Sequence, residues 1–141
     1  MLLVIILSCF VVGCSADAKP GDAIFDAYLK IGAALSQDQL SGAVKHAQVL
    51  QNVIATTDQT KAKELKPDVD ILANAKSLDD ARKSYERLSS NLSIRKNELG
   101  IQANEYYCPM LKKTWLQKDE KVMNPYAGKD MAGCGEKKSK G

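Results

Sequence analysis

Two cysteines and three methionines lie between residues 108 and 134: Cys108, Met110, Met123, Met131 and Cys134. Thiolates and thioethers are soft donors, which select monovalent copper or silver over ions that prefer oxygen or imidazole. The sulfurs pair locally, as Cys108-Pro109-Met110 and Met131-Ala132-Gly133-Cys134, so two short loops that meet would surround one ion. Pro109 stiffens the first loop, and Gly133 and Gly135 loosen the second. Asn124-Pro125 with Gly128 reads as a rigid turn that brings the second loop back.

The same residues admit plainer chemistry. Cys108 and Cys134 can form a disulfide, the default for two thiols in an oxidising compartment. Closing the 25 residues between them would add roughly 3–4 kcal/mol by restricting the unfolded chain. Methionine is also a common filler of core gaps, and Met123 fits that description. Zinc would ask for further Cys or His ligands, and the chain's single histidine, His46, sits on a helical face that suits a boundary residue. On spacing alone, metal site and disulfide stand level.

Enzymatic chemistry finds no foothold. No Ser or Cys has a neighbouring histidine partner, no glycine-rich phosphate loop is present, and the two cysteines do not form Cys-x-x-Cys. Asp79-Asp80 suit a helix N-terminus better than a pair of catalytic acids. Twenty Lys and Arg against 17 Asp and Glu leave a net charge of +3, too diffuse for a nucleic-acid footprint. The expectation is a binding protein, not an enzyme, without nucleic acid as a partner.

The elements that must position the sulfurs come earlier in the chain. Its 141 residues are 45% hydrophobic and 26% charged, the size and balance of one small domain. Ile24, Tyr28, Ile31 and Leu35 recur at helical spacing, and Ser36-Gln37-Asp38 marks an end. A second stripe runs Leu40, Ala43, Val44, Ala47, Leu50 and Ile54, ending at Thr56-Thr57-Asp58. A weaker third covers about 60–75, with Pro67 in a first turn. Ser77 with Asp80 forms a capping box for a fourth, carrying Leu78, Ala81, Tyr85, Leu88 and Leu92 to a glycine stop at Gly100. The expected fold is all-α: an antiparallel four-helix bundle over residues 22–136, with an irregular, aromatic- and sulfur-rich C-terminal loop as a cap. From about residue 104 the helical period stops, and four of the chain's eight aromatic residues fall beyond that point. Residues 137–141 read as a disordered tail.

Residues 1–13 contain eleven apolar side chains and no charge, too short a run to span a bilayer but the length of a signal-peptide core. The run ends in Val11-Val12-Gly13-Cys14, which resembles the lipobox of bacterial lipoproteins. That resemblance implies cleavage after residue 13, lipidation of Cys14, a tether over 14–21 and a membrane partner through the lipid anchor. Ser15 after the cysteine resembles the signal for outer-membrane sorting, which places the domain facing the periplasm or the cell exterior. An ordinary signal peptide that leaves Cys14 as an unpaired thiol is the plainer alternative, and no Lys or Arg precedes the apolar run.

Five motifs in order bring a second likeness into view: Ala81-Arg-Lys-Ser-Tyr-Glu-Arg-Leu-Ser89, Tyr107-Cys-Pro-Met110, Trp115-Leu-Gln117, Asn124-Pro-Tyr-Ala-Gly128 and Met131-Ala-Gly-Cys-Gly135. Together they resemble a bacterial periplasmic domain of unknown function. It occurs alone in lipoproteins and at the C-terminus of copper/silver efflux membrane-fusion adaptors. The resemblance implies heavy-metal handling, with copper(I) or silver(I) held by Cys108, Met110, Met131 and Cys134, and efflux adaptors as partners. It implies scaffold roles for Trp115, Asn124, Pro125, Tyr126 and Gly128, and matches Arg82 and Ser89 in the fourth helix. The chain departs from the pattern at Ser84, where many relatives carry histidine, and at Ala132, where they often carry leucine.

Overall fold

A computed structural model describes residues 19–139. The leader 1–13, Cys14, most of the 14–21 tether and the last two residues of the 137–141 tail lie outside the described residues. Among the described residues, no helix is long and apolar enough to cross a membrane.

Helix α1 spans Pro20–Ser36, with Pro20 in its first turn, where a missing N–H costs no bond. It buries Ile24, Tyr28, Ile31 and Leu35 completely. The chain reverses at Asp38, a non-glycine residue at φ 57°, and enters α2, Leu40–Thr56. The buried alanines Ala43 and Ala47 let α2 lie close against its neighbours. The segment expected as one weak helix is two, α3 (Thr60–Lys63) and α4 (Lys66–Ala73). Pro67 explains the break, because a continuous helix would drive its ring into the carbonyl of Lys63. Helix α5 spans Leu78–Arg95, and its cap is the expected one, with the Asp80 N–H donating to Ser77 Oγ at 3.1 Å. The chain leaves through a turn in which the Ile101 N–H donates to Lys96 O at 2.8 Å across Gly100.

The expectation of an all-α fold with an irregular cap is wrong. Beyond α5 the chain forms a three-stranded antiparallel sheet in the order β2-β1-β3, from β1 (Asn104–Cys108), β2 (Lys113–Gln117) and β3 (Glu136–Lys137). Tyr106 pairs with Trp115, Cys108 with Lys113 and Tyr107 with Glu136. The period in this region is two, not 3.6. Tyr106 and Cys108 are buried, while Glu105 and Tyr107 are only half-buried. Strands of five and two residues are too short for that alternation to stand out between Pro109, Pro125 and the glycines, all of which fall outside the ladder. The domain is therefore a helical body with a small β cap.

Hydrogen bonds from two tyrosine hydroxyls join cap to body. Tyr28 Oη lies 2.8 Å from Ser89 Oγ and accepts the Leu116 N–H at 3.0 Å, so one hydroxyl ties α1, α5 and β2. Tyr126 Oη donates to Thr114 O at 3.1 Å and sits 3.3 Å from the same serine. The rings form an unbroken run, Phe25–Tyr28–Tyr85–Tyr126–Trp115–Tyr106, with successive centroids 4.8–6.2 Å apart.

Candidate functional site

Cys108 is the last residue of β1 and is fully buried. The hairpin then turns through Pro109–Lys112, with Lys112 at φ 54°, and this turn throws Met110 outward, 69% exposed. Cys134 reaches the same place from the second loop. Its Sγ lies 3.1 Å from Cys108 Sγ and 3.8 Å from Met110 Sδ. Three of the four expected sulfurs thus meet. The fourth, Met131, stands on a single 3₁₀ turn (Lys129–Met131), 42% exposed and outside that contact set. Met123 lies elsewhere, at the edge of a cavity of about 200 Å³ bordered by Leu29, Tyr85 and Trp115. His46 is half-buried on α2 and takes no part in the sulfur cluster.

The loop that carries Cys134 is held at several points. Asn124 is completely buried, and its backbone N–H donates to Ala132 O at 2.7 Å. Its Nδ2 donates to Cys134 O at 2.6 Å, and its Oδ1 accepts the Tyr126 N–H at 2.9 Å. Gly135 passes over the indole of Trp115 at φ 147°. A Cβ there would stand 2.5 Å from the ring, so only glycine brings the loop so close. Gln117 fixes the connecting chain, with Oε1 accepting both Trp115 Nε1–H and the Met123 N–H.

Arg82 secures the turn to the helices. Its Nε donates to Pro125 O at 3.1 Å, and Nη2 donates to Leu35 O at 2.9 Å and to the Asp38 carboxylate at 2.6 Å. The other Asp38 oxygen accepts the Lys129 N–H at 3.1 Å, beside Gly128 at φ 74°. Hydrogen bonds from Arg82 and from the Lys129 N–H hold the Asp38 carboxyl below its ordinary range. The sequence pattern marks Arg82 but not Asp38 or Tyr28. Asp38 reads as a helix end and Tyr28 as one member of an apolar stripe, and no local spacing reveals partners so distant in the chain.

The two thiols are electrostatically unequal. Burial by itself would raise Cys108, but the Cys134 thiol, the Leu111 and Met110 N–H groups and the Asn124 side chain outweigh it and lower it. Cys134 is raised by its hydrogen bond to Cys108, by burial and by the neighbouring charge.

The spacing suits two outcomes. A disulfide bond measures about 2.05 Å, so the sulfurs must close by about an ångström to form one. Metal–sulfur bonds of about 2.3 Å place two sulfurs about 3.8 Å apart at a tetrahedral angle and about 4.0 Å apart at a trigonal one. The Cys134–Met110 separation already matches, and the thiol pair would need to open by less than an ångström. Among the described residues, no cluster of three or more Cys, His, Asp or Glu is placed to hold a metal ion. An ion here would depend on a thioether, a donor that favours soft monovalent cations.

A family model described as "Protein of unknown function (DUF3347)" matches residues 24–102. No curated protein and no solved structure matches the chain. The match runs from α1 to the turn after α5 and stops two residues before β1, so it takes in the helical body and not the sulfur-bearing cap. It covers more than half of the 141 residues, and the chain belongs to this family of unknown function.

Proposed function

We propose that the protein is a cell-envelope lipoprotein that binds copper(I) or silver(I) and passes it to a heavy-metal efflux partner. The observation that carries this reading is the meeting of three soft donors, Cys108 Sγ, Cys134 Sγ and Met110 Sδ, at separations of 3.1 and 3.8 Å. Their exposure is graded, from Cys108 fully buried through Cys134 half-buried to Met110 mostly exposed. An ion is then approached from one side, and an incoming sulfur ligand displaces the exposed thioether before the thiolates. Met131, exposed near the same loop, is a thioether that can join during exchange. The role is binding and transfer, with the ion as cargo and no bond-making chemistry on a substrate. Anchoring through Cys14 rests on the lipobox-like Val11-Val12-Gly13-Cys14, and the outer-membrane location, facing the periplasm or cell exterior, rests on Ser15 after it.

Competition of the reduced protein against a chromogenic copper(I) chelator tests the reading. One ion per chain is expected, and Cys108→Ser should weaken binding at least about a hundredfold, since a hydroxyl is a poor ligand for a soft ion. Uptake that Cys108→Ser leaves unchanged would sink it.

The 3.1 Å thiol separation also favours a second reading, in which Cys108 and Cys134 form a lasting disulfide in a protein-interaction module. Mass spectrometry of protein isolated without reductant separates the two. A deficit of about two daltons in every molecule supports the disulfide form.

A further inference from the structure

We propose that Asn124 is the positioning residue of the sulfur site: it sets the distance between the two cysteine-bearing loops and thereby the affinity for the ion. The proposal rests on the soft-metal reading above. Asn124 stands ten residues before Cys134 in the connection from β2 to β3, and its bonds fasten the part of it that carries that cysteine. Its backbone N–H holds Ala132, and its amide Nδ2 holds the carbonyl of Cys134 itself at 2.6 Å. The same side chain stands beside the Cys108 sulfur.

What lies behind Asn124 makes it a fixed point rather than one more loop residue. Its Oδ1 accepts the Tyr126 N–H, which closes an Asx turn around Pro125. Pro125 O is held by Arg82 from α5, and Tyr126 Oη is held by Thr114 O on β2. The side chain is wholly buried, so water does not compete for its bonds. Helix, strand and turn thus reach the second thiol through one amide. Without it, Cys134 keeps its backbone tie to Met131 and its loop keeps the Asn124 N–H bond to Ala132, but the carbonyl next to the sulfur loses its one side-chain donor among the described residues. Groups that orient a metal ligand typically change affinity ten- to a hundredfold when removed.

Two substitutions isolate this role. Asn124→Ser retains a short oxygen that can accept the Tyr126 N–H, but it is too short to reach Cys134 O. Asn124→Asp keeps the acceptor and replaces the donor with a charge facing that carbonyl. Tyr106→Phe is the control, since it weakens the cap elsewhere by removing the hydroxyl that donates to Asp119 O at 3.0 Å. Each full-length protein is titrated with copper(I) against a chromogenic chelator, and its thermal midpoint is recorded. A second measurement follows closure of the two thiols by glutathione disulfide, in which two protein S–H bonds are exchanged for one S–S bond and two molecules of glutathione.

Both Asn124 variants should bind copper(I) at least about tenfold more weakly and close their disulfide about tenfold more slowly. Tyr106→Phe, even with a similar loss in midpoint, should do neither. Unchanged binding and closure in the Asn124 variants, or equal losses in Tyr106→Phe, would overturn the positioning role while leaving the metal reading intact. Absence of copper(I) uptake by the unsubstituted protein overturns the metal reading first and the proposal with it. If Asn124→Asp does not fold, Asn124→Ser carries the comparison.

Discussion

The helical body and the β cap are built on different principles. The body buries narrow stripes of aliphatic and small side chains, such as Ile24, Ile31, Ala43, Ala47 and Leu88, and its hydrogen bonds are mostly local. The cap carries Tyr106, Trp115 and Tyr126, and its decisive bonds span long stretches of chain: Tyr28 to Leu116, Arg82 to Pro125, Asp38 to Lys129. Local helices form wherever one face can be buried. Two thiols and a thioether brought to one point require rings and clamps that no local rule supplies. The family match follows the same division, taking in the body and ending before the cap.

The largest expected effect tests whether the cap depends on its ring core. Trp115 is 2% exposed and forms the plate on which Gly135 rests. Trp115→Ala should cost about 3–5 kcal/mol in denaturant unfolding. It should also abolish copper(I) uptake while the far-ultraviolet dichroism of the helices persists below the transition. Loss of helicity in step with uptake would instead make body and cap one cooperative unit.

A smaller effect lies in the body. Ser77→Ala removes the Oγ that accepts the Asp80 N–H and should lower stability by about 1 kcal/mol. Copper(I) affinity measured at 25 °C should not change, because the cap of α5 takes no part in placing the sulfurs. A matching drop in affinity would erase the distinction between the regions.

The smallest effect concerns the joint between them. Arg82 and the Lys129 N–H hold the Asp38 carboxyl below its ordinary value, so folding favours its charged form. The contribution is complete above the unfolded carboxylate value of about 3.9 and is lost as pH falls through the lowered folded value. Glu64, held by Arg95 and Lys61, and Asp70, held by Lys66 and Gln51, behave alike within the body. Thermal midpoints measured from pH 6 downward should therefore fall below about pH 4. Asp38→Asn should flatten that fall more than Asp70→Asn does if the joint is the weaker seam.

Most of the body is readable in residue order because helical burial leaves a period. The stripe from Ile24 to Leu35, the stop at Ser36 and the Ser77–Asp80 cap all stand where spacing and capping chemistry put them. The split between α3 and α4 is implicit in Pro67, but a weak stripe on both sides hides it. The cap reads as irregular in residue order for a physical reason. Its alternation runs for only a few residues, and β2 is buried on both faces, with Trp115 and Leu116 both inside, which erases the polar half of the pattern. In the site, the soft-donor set was visible as residue types. The exposed position of Met131 was not, because a spacing of three residues says nothing about which way a 3₁₀ turn will point its side chain.

What residue order settles is chemistry and local form: sulfur gathered near one end, helices where apolar residues recur, glycine where the chain must pass a ring. Only folding decides that Cys108 and Cys134 stand 3.1 Å apart, that Met110 Sδ lies 3.8 Å from Cys134 Sγ, and that a buried asparagine holds the second loop in place. Donor type belongs to each side chain alone. Distance belongs to the strands, rings and distant hydrogen bonds that bring those side chains together.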